Sequence, residues 1–371
     1  MRIASFNVEN MFLRAKALNQ ETWAEGRPAL EKYAKVNALL NNVTYSPADK
    51  TKIANLLTEL KLDKSDEGSG FVRLRQNRGS LLKRTAAGID IVAQGRAAWG
   101  GWVELKLEPV SELSAQHIAR VIEIVNPDIL GVVEVENRPA LREFNTVIDA
   151  IGADTYSAVM VIDGNDDRGI DVGIMARRPW EITEIRSHVD DEDEKGVVFS
   201  RDCPVFTLGT NGGKRIVVLV NHLKSKGYAS VGETPDVKRE RQAKRVATIY
   251  RSLRQSGEKN IAIVGDLNDF REAAPIKPLF TNTGLKDISD HPLFDSGGLD
   301  GTYGRQGVKE KFDYVMLSPD LFSKVTGGGV CRLGVWGKNK NPPTKWQIFG
   351  TLTRPEDAAS DHAAIYADVA L

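Results

Sequence analysis

Residues 261–269 read IAIVGDLND, a run of four apolar residues that ends in a polar cluster. The apolar run predicts a buried strand, and the glycine and polar residues after it predict the turn where that strand ends. Rigid scaffolds often present binding and catalytic groups at such ends. The stretch therefore predicts a strand that delivers Asp266 and Asn268 to a functional edge of the fold.

Further polar clusters lie where other apolar runs end. They are Asn7 in SFNVEN, Glu134 in GVVEVEN, His222 in NHLKSK, Asp313 in FDY and the closing Asp361 and His362 in SDHA. Each has a plain structural reading, as a turn residue, a buried carboxylate paired with a cation, or a surface Asp-His pair. Their order along the chain, each at a strand edge, favours one shared site instead.

The bulk composition is that of an ordinary globular protein. The 371 residues are 41% hydrophobic and 27% charged, and fifty Lys+Arg balance fifty Asp+Glu. A neutral chain that acts on nucleic acid needs a local basic surface, and neutrality suits a small phosphoester equally well. Cys203 and Cys331 are expected to be plain thiols, although pairing between them stays open.

The sequence contains no apolar run of the ~18 residues that a membrane span needs. Its N-terminus, MRIASFNVENMF, lacks the apolar region of a signal peptide. As written, the sequence predicts a cytoplasmic protein, or a secreted or periplasmic one if a leader was removed. No protein partner is indicated.

Short strands and few helices alternate along most of the chain. Strands are expected at 2–8, 129–135, 171–176, 215–221, 261–265, 312–317 and 363–369, and helices at 113–125 and 237–253. This mixture predicts an α+β fold of packed sheets flanked by helices. The basic residues 238–245 are interpreted as the solvated face of the second helix.

Residues 14–112 differ from the rest and are interpreted as an inserted helical and strand segment within a single domain, 1–371. Ser46, Pro47 and Asp49 predict a helix start. The basic run at 71–84 and the tryptophans at 99 and 102 suit the phosphates and bases of a nucleic acid. The predicted contacts are Arg73, Arg75 and Arg78. The alternative is a substrate lid whose tryptophans form its own core.

Six stretches, SFNVEN, DILGVVEVEN, VNHLKSK, VGDLND, FDYVML and SDHAAI, run from the first strand to the last. With them the sequence resembles the endonuclease/exonuclease/phosphatase superfamily, the DNase I-like proteins. EVEN, RGIDVGIM (168–175), NHLKSK and GDLND look most like the bacterial extracellular-nuclease-type members. The resemblance implies a four-layered α/β sandwich of two packed mixed β-sheets flanked by helices, with the active site at one open edge.

The resemblance also implies a metal site. Asn7, Glu134 and Asp361 match the principal metal ligands of the superfamily, and a second ion that contacts Asp266 stays open. A set of amide and carboxylate oxygens suits hard ions, so Mg²⁺ or Mn²⁺ is expected, as one or two ions, with Ca²⁺ also open.

The remaining matched residues are implied to act on the phosphate. Asp266 and Asn268 match the pair that positions the attacking water, and His222 and His362 match the histidines that flank the phosphate. Asp313 matches the carboxylate that orients His362. We favour Asp266 as the base and His362 as electrostatic partner or acid, with the swapped roles as the alternative.

The implied activity is metal-dependent in-line hydrolysis of a phosphodiester, by a nuclease on DNA or RNA with little sequence specificity. The alternatives are a phosphatase or phosphodiesterase on a small or lipid phosphoester, and a binding protein that lost the chemistry. Lys224 and Lys226 are expected to contact phosphate. Asp269 and Glu136 either support the site or are solvated charges. The Asp269-Phe270 pair departs from the abasic-site endonuclease pattern.

Overall fold

The computed structural model describes residues 1–17, 20, 23–68, 70–166, 168–227, 233–304, 309–337 and 345–371. The strands are β1 (Arg2–Asn7), β2 (Leu13–Ala15), β3 (Val72–Arg78), β4 (Leu82–Thr85), β5 (Gly88–Ile91), β6 (Gly100–Leu105), β7 (Leu107–Pro109), β8 (Ile129–Val135), β9 (Ala158–Ile162), β10 (Asp171–Ala176), β11 (Glu181–Arg186), β12 (Glu192–Asp193), β13 (Gly196–Val197), β14 (Val205–Gly209), β15 (Arg215–His222), β16 (Ile261–Asp266), β17 (Lys286–Asp287), β18 (Phe294–Asp295), β19 (Asp313–Leu317), β20 (Val325–Cys331) and β21 (Ala364–Val369).

The helices are α1 (Trp23–Leu40), α2 (Pro47–Glu59), α3 (Glu112–Val125), α4 (Arg138–Ala150), α5 (Pro235–Gln255) and α6 (Pro319–Phe322), with short 3₁₀ helices at Lys277–Leu279, Ile288–Asp290 and Pro355–Asp357. Within the described residues, no helix combines the length and the apolar character needed to cross a membrane.

The chain divides into two compact units. The first comprises Met1–Phe12, Val110–Lys226 and Asp236–Leu371, and the second comprises Leu13–Pro109 with Gly227–Pro235. The expectation of a single domain with an insertion at 14–112 remains a proposal.

Two mixed sheets form the centre of the first unit. One has the strand order β18-β20-β21-β1-β8-β10-β9 and the other has the order β11-β14-β15-β16-β19-β17. A continuous apolar core draws on both sheets, with Ile3 and Val133 from one and Val264 and Val315 from the other, all fully buried. The predicted α+β class with two packed mixed sheets is confirmed.

Helices cover the outer faces of the two sheets. Ile118 of α3 and Phe144 of α4 share one apolar cluster with Val132 of β8. Val246 of α5 shares another cluster with Ile263 of β16. The layers of the first unit are therefore helix, sheet, sheet, helix, which matches the expected four-layered sandwich.

Strand register brings polar groups to one edge of the second sheet. The parallel pairing of β15 with β16 sets His222 beside Asp266, and the antiparallel pairing of β16 with β19 sets Asp313 opposite Asp266. Gly265 makes this pairing possible, because a Cβ there would lie 1.9 Å from the carbonyl oxygen of Asn221 and the residue has a φ of +140°. Only glycine adopts such a conformation without strain.

The second unit has its own core. Helices α1 and α2 and the ribbons β2-β7, β3-β6 and β4-β5 enclose an apolar cluster that contains Trp99. Helix α2 starts where the sequence predicts, because Ser46 and Asp49 form a reciprocal capping box. Trp102 is 40% exposed, so only one of the two tryptophans belongs to this core.

Candidate active site

The first unit brings the predicted catalytic and metal residues together. Asn7 is the last residue of β1, and its Nδ2 donates to Glu134 Oε1 at 3.2 Å and to Asp266 Oδ2 at 3.3 Å. His222 Nε2 lies 3.6 Å from the same Glu134 oxygen and 3.7 Å from Asp266 Oδ2. Four residues far apart in sequence thus meet in the first unit, and two of them are carboxylates.

A second histidine completes the site. His362 Nδ1 donates to Asp313 Oδ2 at 2.8 Å. Its Nε2 therefore faces the other way, 3.7 Å from Asp266 Oδ2 and 3.8 Å from Asp361 Oδ1. Asn268 donates its backbone N–H to Asp266 Oδ1 at 2.8 Å and its side-chain Nδ2 to Asp266 Oδ2 at 3.1 Å. Asp266 is the centre of this arrangement.

Backbone strain is concentrated here. Of the seven described non-glycine residues with positive φ, four lie in the segments that carry Asn7, Glu134 and Asp266. They are Glu9, Asn10, Glu134 and Asn268. Glu134 is the extra residue of a β-bulge, because Val133 and Val135 oppose consecutive residues of β10. A bulge re-aims a side chain, and strained residues are typical of functional sites. The bulge explains how a carboxylate leaves an apolar strand to enter the site.

The two histidines have opposite charge preferences. Burial lowers the pKa of His222 well below its ordinary value, and Arg201 and Arg168 lower it further. Burial would also lower the pKa of His362, but the carboxylates of Asp313 and Asp266 raise it well above the ordinary value. These shifts favour the neutral form of His222 and the imidazolium form of His362.

The carboxylates fit a divalent cation. Burial raises the pKa of Glu134, and Asp361 raises it further. Burial also raises the pKa of Asp266 to about 7. Within the described residues, neither Glu134 nor Asp266 forms an ion pair with a lysine or arginine. Carboxylates with raised pKa values and an amide beside them are the oxygen ligands that Mg²⁺ or Mn²⁺ takes.

A metal would compete poorly for the Asp313–His362 pair. One ligand atom from each of Asp266, Asp313 and His362 lies within 4.8 Å of the others, which is close enough for an ion. However, His362 Nδ1 is already bound to Asp313. The predicted division, with Asn7, Glu134, Asp361 and Asp266 for the cation and Asp313 with His362 for charge and proton transfer, remains a proposal.

Asp269 is part of a buried ion-pair network beside the site. Its Oδ2 lies 2.8 Å from Arg239 Nη2, and its Oδ1 lies 2.6 Å from Lys226 Nζ. Arg239 Nη1 also donates to the carbonyl of Lys224 at 2.8 Å. Asp269 is therefore not a solvated charge, because the network joins α5 to the loops after β15 and β16, and its support of the site remains a proposal.

Two expectations need correction. The basic residues 238–245 do not all lie on a solvated helix face, since Arg239 is 0% exposed and falls on the buried side of α5 with Gln242 and Val246. Glu136 is not a solvated charge, because its Oε1 accepts the backbone N–H groups of Met11 and Phe12. Partners distant in sequence decide both cases.

Arg239→Met should destabilise the protein by about 3 kcal/mol, because loss of one member of a buried ion pair leaves its partner poorly compensated. Turnover should fall with it as the loop of Lys224 loosens. The matched control is Lys244→Met on the same helix, where the side chains of Lys244 and its partner Glu240 are 63% and 41% exposed. That surface pair should contribute less than about 1 kcal/mol. Urea unfolding of both variants measures the difference, and equal losses would contradict the role assigned to Arg239.

Sequence reasoning missed a second buried ion cluster. Asp166 Oδ2 lies 2.5 Å from Arg168 Nη2 and 3.0 Å from Arg201 Nε, and Arg201 is 2% exposed. Although burial raises the pKa of Asp166, the two guanidinium groups hold it far below the usual range. The sequence offered a signal for Arg168, because it is the first residue of the family-like stretch RGIDVGIM. No pattern in residues 199–206, FSRDCPVF, distinguishes Arg201.

The predicted phosphate contacts divide between the two units. Lys224 is 5% exposed, and burial together with Arg168 and Arg201 lowers its pKa to about 7. Arg73, Arg75 and Arg78 lie on β3 in the second unit. Their contact with a phosphate remains a prediction, as does that of Lys224 and Lys226.

Cys203 and Cys331 are free and buried.

Comparison with known proteins gives a family match. The sequence model of the Endonuclease/Exonuclease/phosphatase family matches residues 99–362. No curated protein matches the sequence.

Three solved structures of similar fold share less than 20% sequence identity with this chain. The human Nocturnin catalytic domain with bound sulfate anion has a TM-score of 0.50 at 15% identity, over 70% of this chain and 86% of that one. An endonuclease/exonuclease/phosphatase from Bacteroides vulgatus has a TM-score of 0.49 at 16% identity, over 70% and 91%. A mannosyl-6-phosphatase from Bacteroides thetaiotaomicron has a TM-score of 0.48 at 14% identity, over 70% and 92%.

Proposed function

The chain belongs to the endonuclease/exonuclease/phosphatase family, whose members hydrolyse phosphoester bonds, and we propose that it is a divalent-metal-dependent nuclease that cleaves DNA or RNA with little sequence specificity. The observation that carries the proposal is the position of Asp266 between Asn7, Glu134 and the imidazolium of His362. Acidic oxygens on one side and a cation on the other suit a phosphoester that gains negative charge during the reaction.

The chain's own residues have distinct roles in this proposal. Asn7, Glu134, Asp361 and Asp266 would hold Mg²⁺ or Mn²⁺, which would neutralise phosphate charge and acidify water. Asp266 accepts the proton of the attacking water, and Asn268 keeps its carboxylate in place.

The histidines act on the phosphate itself. His362, kept protonated by Asp313, stabilises the developing charge and donates a proton to the leaving oxygen. His222, which is neutral, donates a hydrogen bond to a phosphate oxygen. The alternative, with the roles of Asp266 and His362 exchanged, uses the same contacts.

A polynucleotide substrate is supported by one face of the β3-β6 ribbon. Arg75 pairs across the ribbon with Trp102, and Arg73 pairs with Glu104. The exposed fractions of these side chains lie between 32% and 40%. Guanidinium groups beside an exposed indole suit a phosphate backbone and a base.

The smaller-substrate alternative also has an observation in its favour. Both Arg73 and Arg75 bind the Glu104 carboxylate, which offsets part of their charge. A phosphatase or phosphodiesterase on a small or lipid phosphoester does not need a basic ribbon.

Incubation with plasmid, with RNA and with bis(p-nitrophenyl) phosphate, in Mg²⁺ or Mn²⁺ and then in EDTA, tests the proposal. We expect cleavage of at least one polynucleotide, abolished by EDTA and restored by excess metal. Hydrolysis of the chromogenic ester alone would favour the small-phosphoester alternative. Activity that ignores EDTA, or no hydrolysis of any substrate, would overturn the proposed function.

The triple substitution of Arg73, Arg75 and Arg78 to glutamine should weaken polynucleotide cleavage several-fold at low salt. It should also flatten the dependence of cleavage on salt, because fewer counterions are released on binding. The matched control replaces the exposed Lys35, Lys52 and Lys64 of the same unit with glutamine. If hydrolysis of the small ester falls equally, the ribbon does not bind the strand.

A further inference from the structure

A row of aromatic rings leads away from the imidazole of His362. The ring centroid of Tyr303 lies 4.9 Å from that of His362. Phe312 follows at 5.2 Å from Tyr303, and Phe270 follows at 5.3 Å from Phe312. We call Tyr303, Phe312 and Phe270 the aromatic row. It begins at a group assigned to the phosphate and extends beyond the residues that surround Asp266.

The segments that carry the site also carry the aromatic row. Phe312 directly precedes Asp313, and Phe270 ends the stretch GDLNDF. Tyr303 pairs with His362 through an isolated β-bridge. Phe312 and Phe270 are therefore fixed by their nearness in sequence to Asp313 and Asn268, and Tyr303 is fixed by its bridge to His362. A specificity surface needs such rigidity.

A cation lies at the far end of the row. Lys226 Nζ is 4.4 Å from the ring centroid of Phe270 and 5.3 Å from that of Phe312. The same ammonium lies 2.6 Å from Asp269 Oδ1, and 43% of the Lys226 side chain is exposed. The ion pair and the rings hold this cation in one place while leaving it accessible to an anionic ligand.

Exposure of the rings is graded. Phe312 is 6% exposed, whereas Tyr303 and Phe270 on either side of it are half-buried. A buried ring that supports two accessible ones presents aromatic surface between the imidazole of His362 at one end and the ammonium of Lys226 at the other. Ring faces between a group assigned to the phosphate and an ammonium suit a planar aromatic group carried between two phosphates.

We propose that the aromatic row binds a nucleobase of the substrate, the one attached to the scissile phosphate on its His362 side, and that Lys226 contacts the next phosphate along the strand. The position of the scissile phosphate rests on the proposed function. Stacking on aromatic rings tolerates any base, because every base has a π face. The row therefore adds affinity for nucleotides without sequence preference.

The competing explanation is that the rings only hold His362 in place. Base recognition and packing support differ in one measurable respect. Loss of a stacking surface weakens binding only of ligands that contain a base, whereas loss of support weakens binding of every phosphate ligand by the same factor.

Binding affinities measured by calorimetry in Mg²⁺ distinguish base recognition from packing support. The probes are thymidine 5′-phosphorothioate and thymidine 3′-phosphorothioate, which are slowly hydrolysed, and 2-deoxyribose 5-phosphorothioate, which lacks the base. The parent protein should bind at least one thymidine probe about tenfold more tightly than the sugar probe, as expected for one stacked base. Tyr303→Leu and Phe270→Leu should each reduce this preference, whereas Tyr303→Phe should retain it.

Equal affinity of the parent protein for all three probes would overturn the proposal, as would an equal loss for all probes in Tyr303→Leu. Thermal unfolding of each variant checks that it is folded, and Tyr303→Phe serves as the conservative variant if Tyr303→Leu is not. The measurement does not depend on turnover. A base preference in a protein that cuts no polynucleotide would therefore overturn the proposed nuclease function and leave this proposal standing.

Discussion

His362→Ala should lower kcat by about 10²–10⁴-fold, the usual contribution of a positioned acid or base. The imidazole is held by Asp313 at 2.8 Å and directs Nε2 toward Asp266. Asp313 and Asp266 keep it protonated against the effect of burial. Its removal deletes the only protonated histidine of the site and leaves the carboxylates of the proposed metal site in place.

The accompanying measurements distinguish chemistry from folding and metal binding. The concentration of Mg²⁺ that gives half-maximal activity should stay close to that of the parent, whereas Glu134→Gln should raise it. His362→Gln, which keeps most of the side-chain volume, should be as inactive as His362→Ala. The control is His291→Ala, which removes a half-buried histidine that packs on Phe322. Near-parental turnover of His362→Ala would remove the basis of the assigned site.

Sequence patterns predicted the parts of the fold that short-range physics determines. The strand bounds 129–135 and 171–176 are those of the structure, because each apolar run is interrupted at both ends. The predicted helix at 113–125 is also present, capped by Ser111 and ended by Asn126 with a φ of 48°. Local hydrogen bonding and periodicity fix these boundaries, and both can be read from neighbouring residues.

Groups that depend on partners distant in sequence could not be predicted in the same way. Arg239 is buried because Asp269, thirty residues later, reaches it from another loop. The periodicity of α5 contained a signal, since Arg239, Gln242, Val246 and Tyr250 are spaced as one buried helical face. A charged residue on such a face is interpreted as solvated until its counterion is known. The bulge that turns Glu134 into the site likewise depends on pairing with β10.

The residues of the site were predictable for a different reason. Each lies at or next to the end of an apolar strand, and strand pairing then determines which ends meet. The register that sets Asp266 beside both His222 and Asp313 is a property of three strands together. A single sequence contains the polar groups but not the distances between them, so the lowered pKa of His222 emerged only from its surroundings.

Asp266→Asn should abolish turnover and, in EDTA, should change how stability depends on pH. Burial raises the pKa of Asp266 to about 7, while His362 lowers it and Asp313 raises it. The unfolded chain has an ordinary carboxyl pKa of about 3.9. Because the folded pKa is the higher one, ionisation opposes folding, and the penalty grows from about pH 4 and is complete above about pH 7.

The melting temperature of the parent in EDTA should therefore fall, relative to that of Asp266→Asn, as pH rises from 5 to 8. Excess Mg²⁺ should reverse that fall in the parent, since a cation bound only by the folded state stabilises it, and should do so far less in the variant. The exposed Asp90→Asn is the control and should follow the parent. Parallel pH profiles for the parent and Asp266→Asn would show that Asp266 is not a buried carboxylate in need of a cation, and the proposed metal site would lose its central ligand.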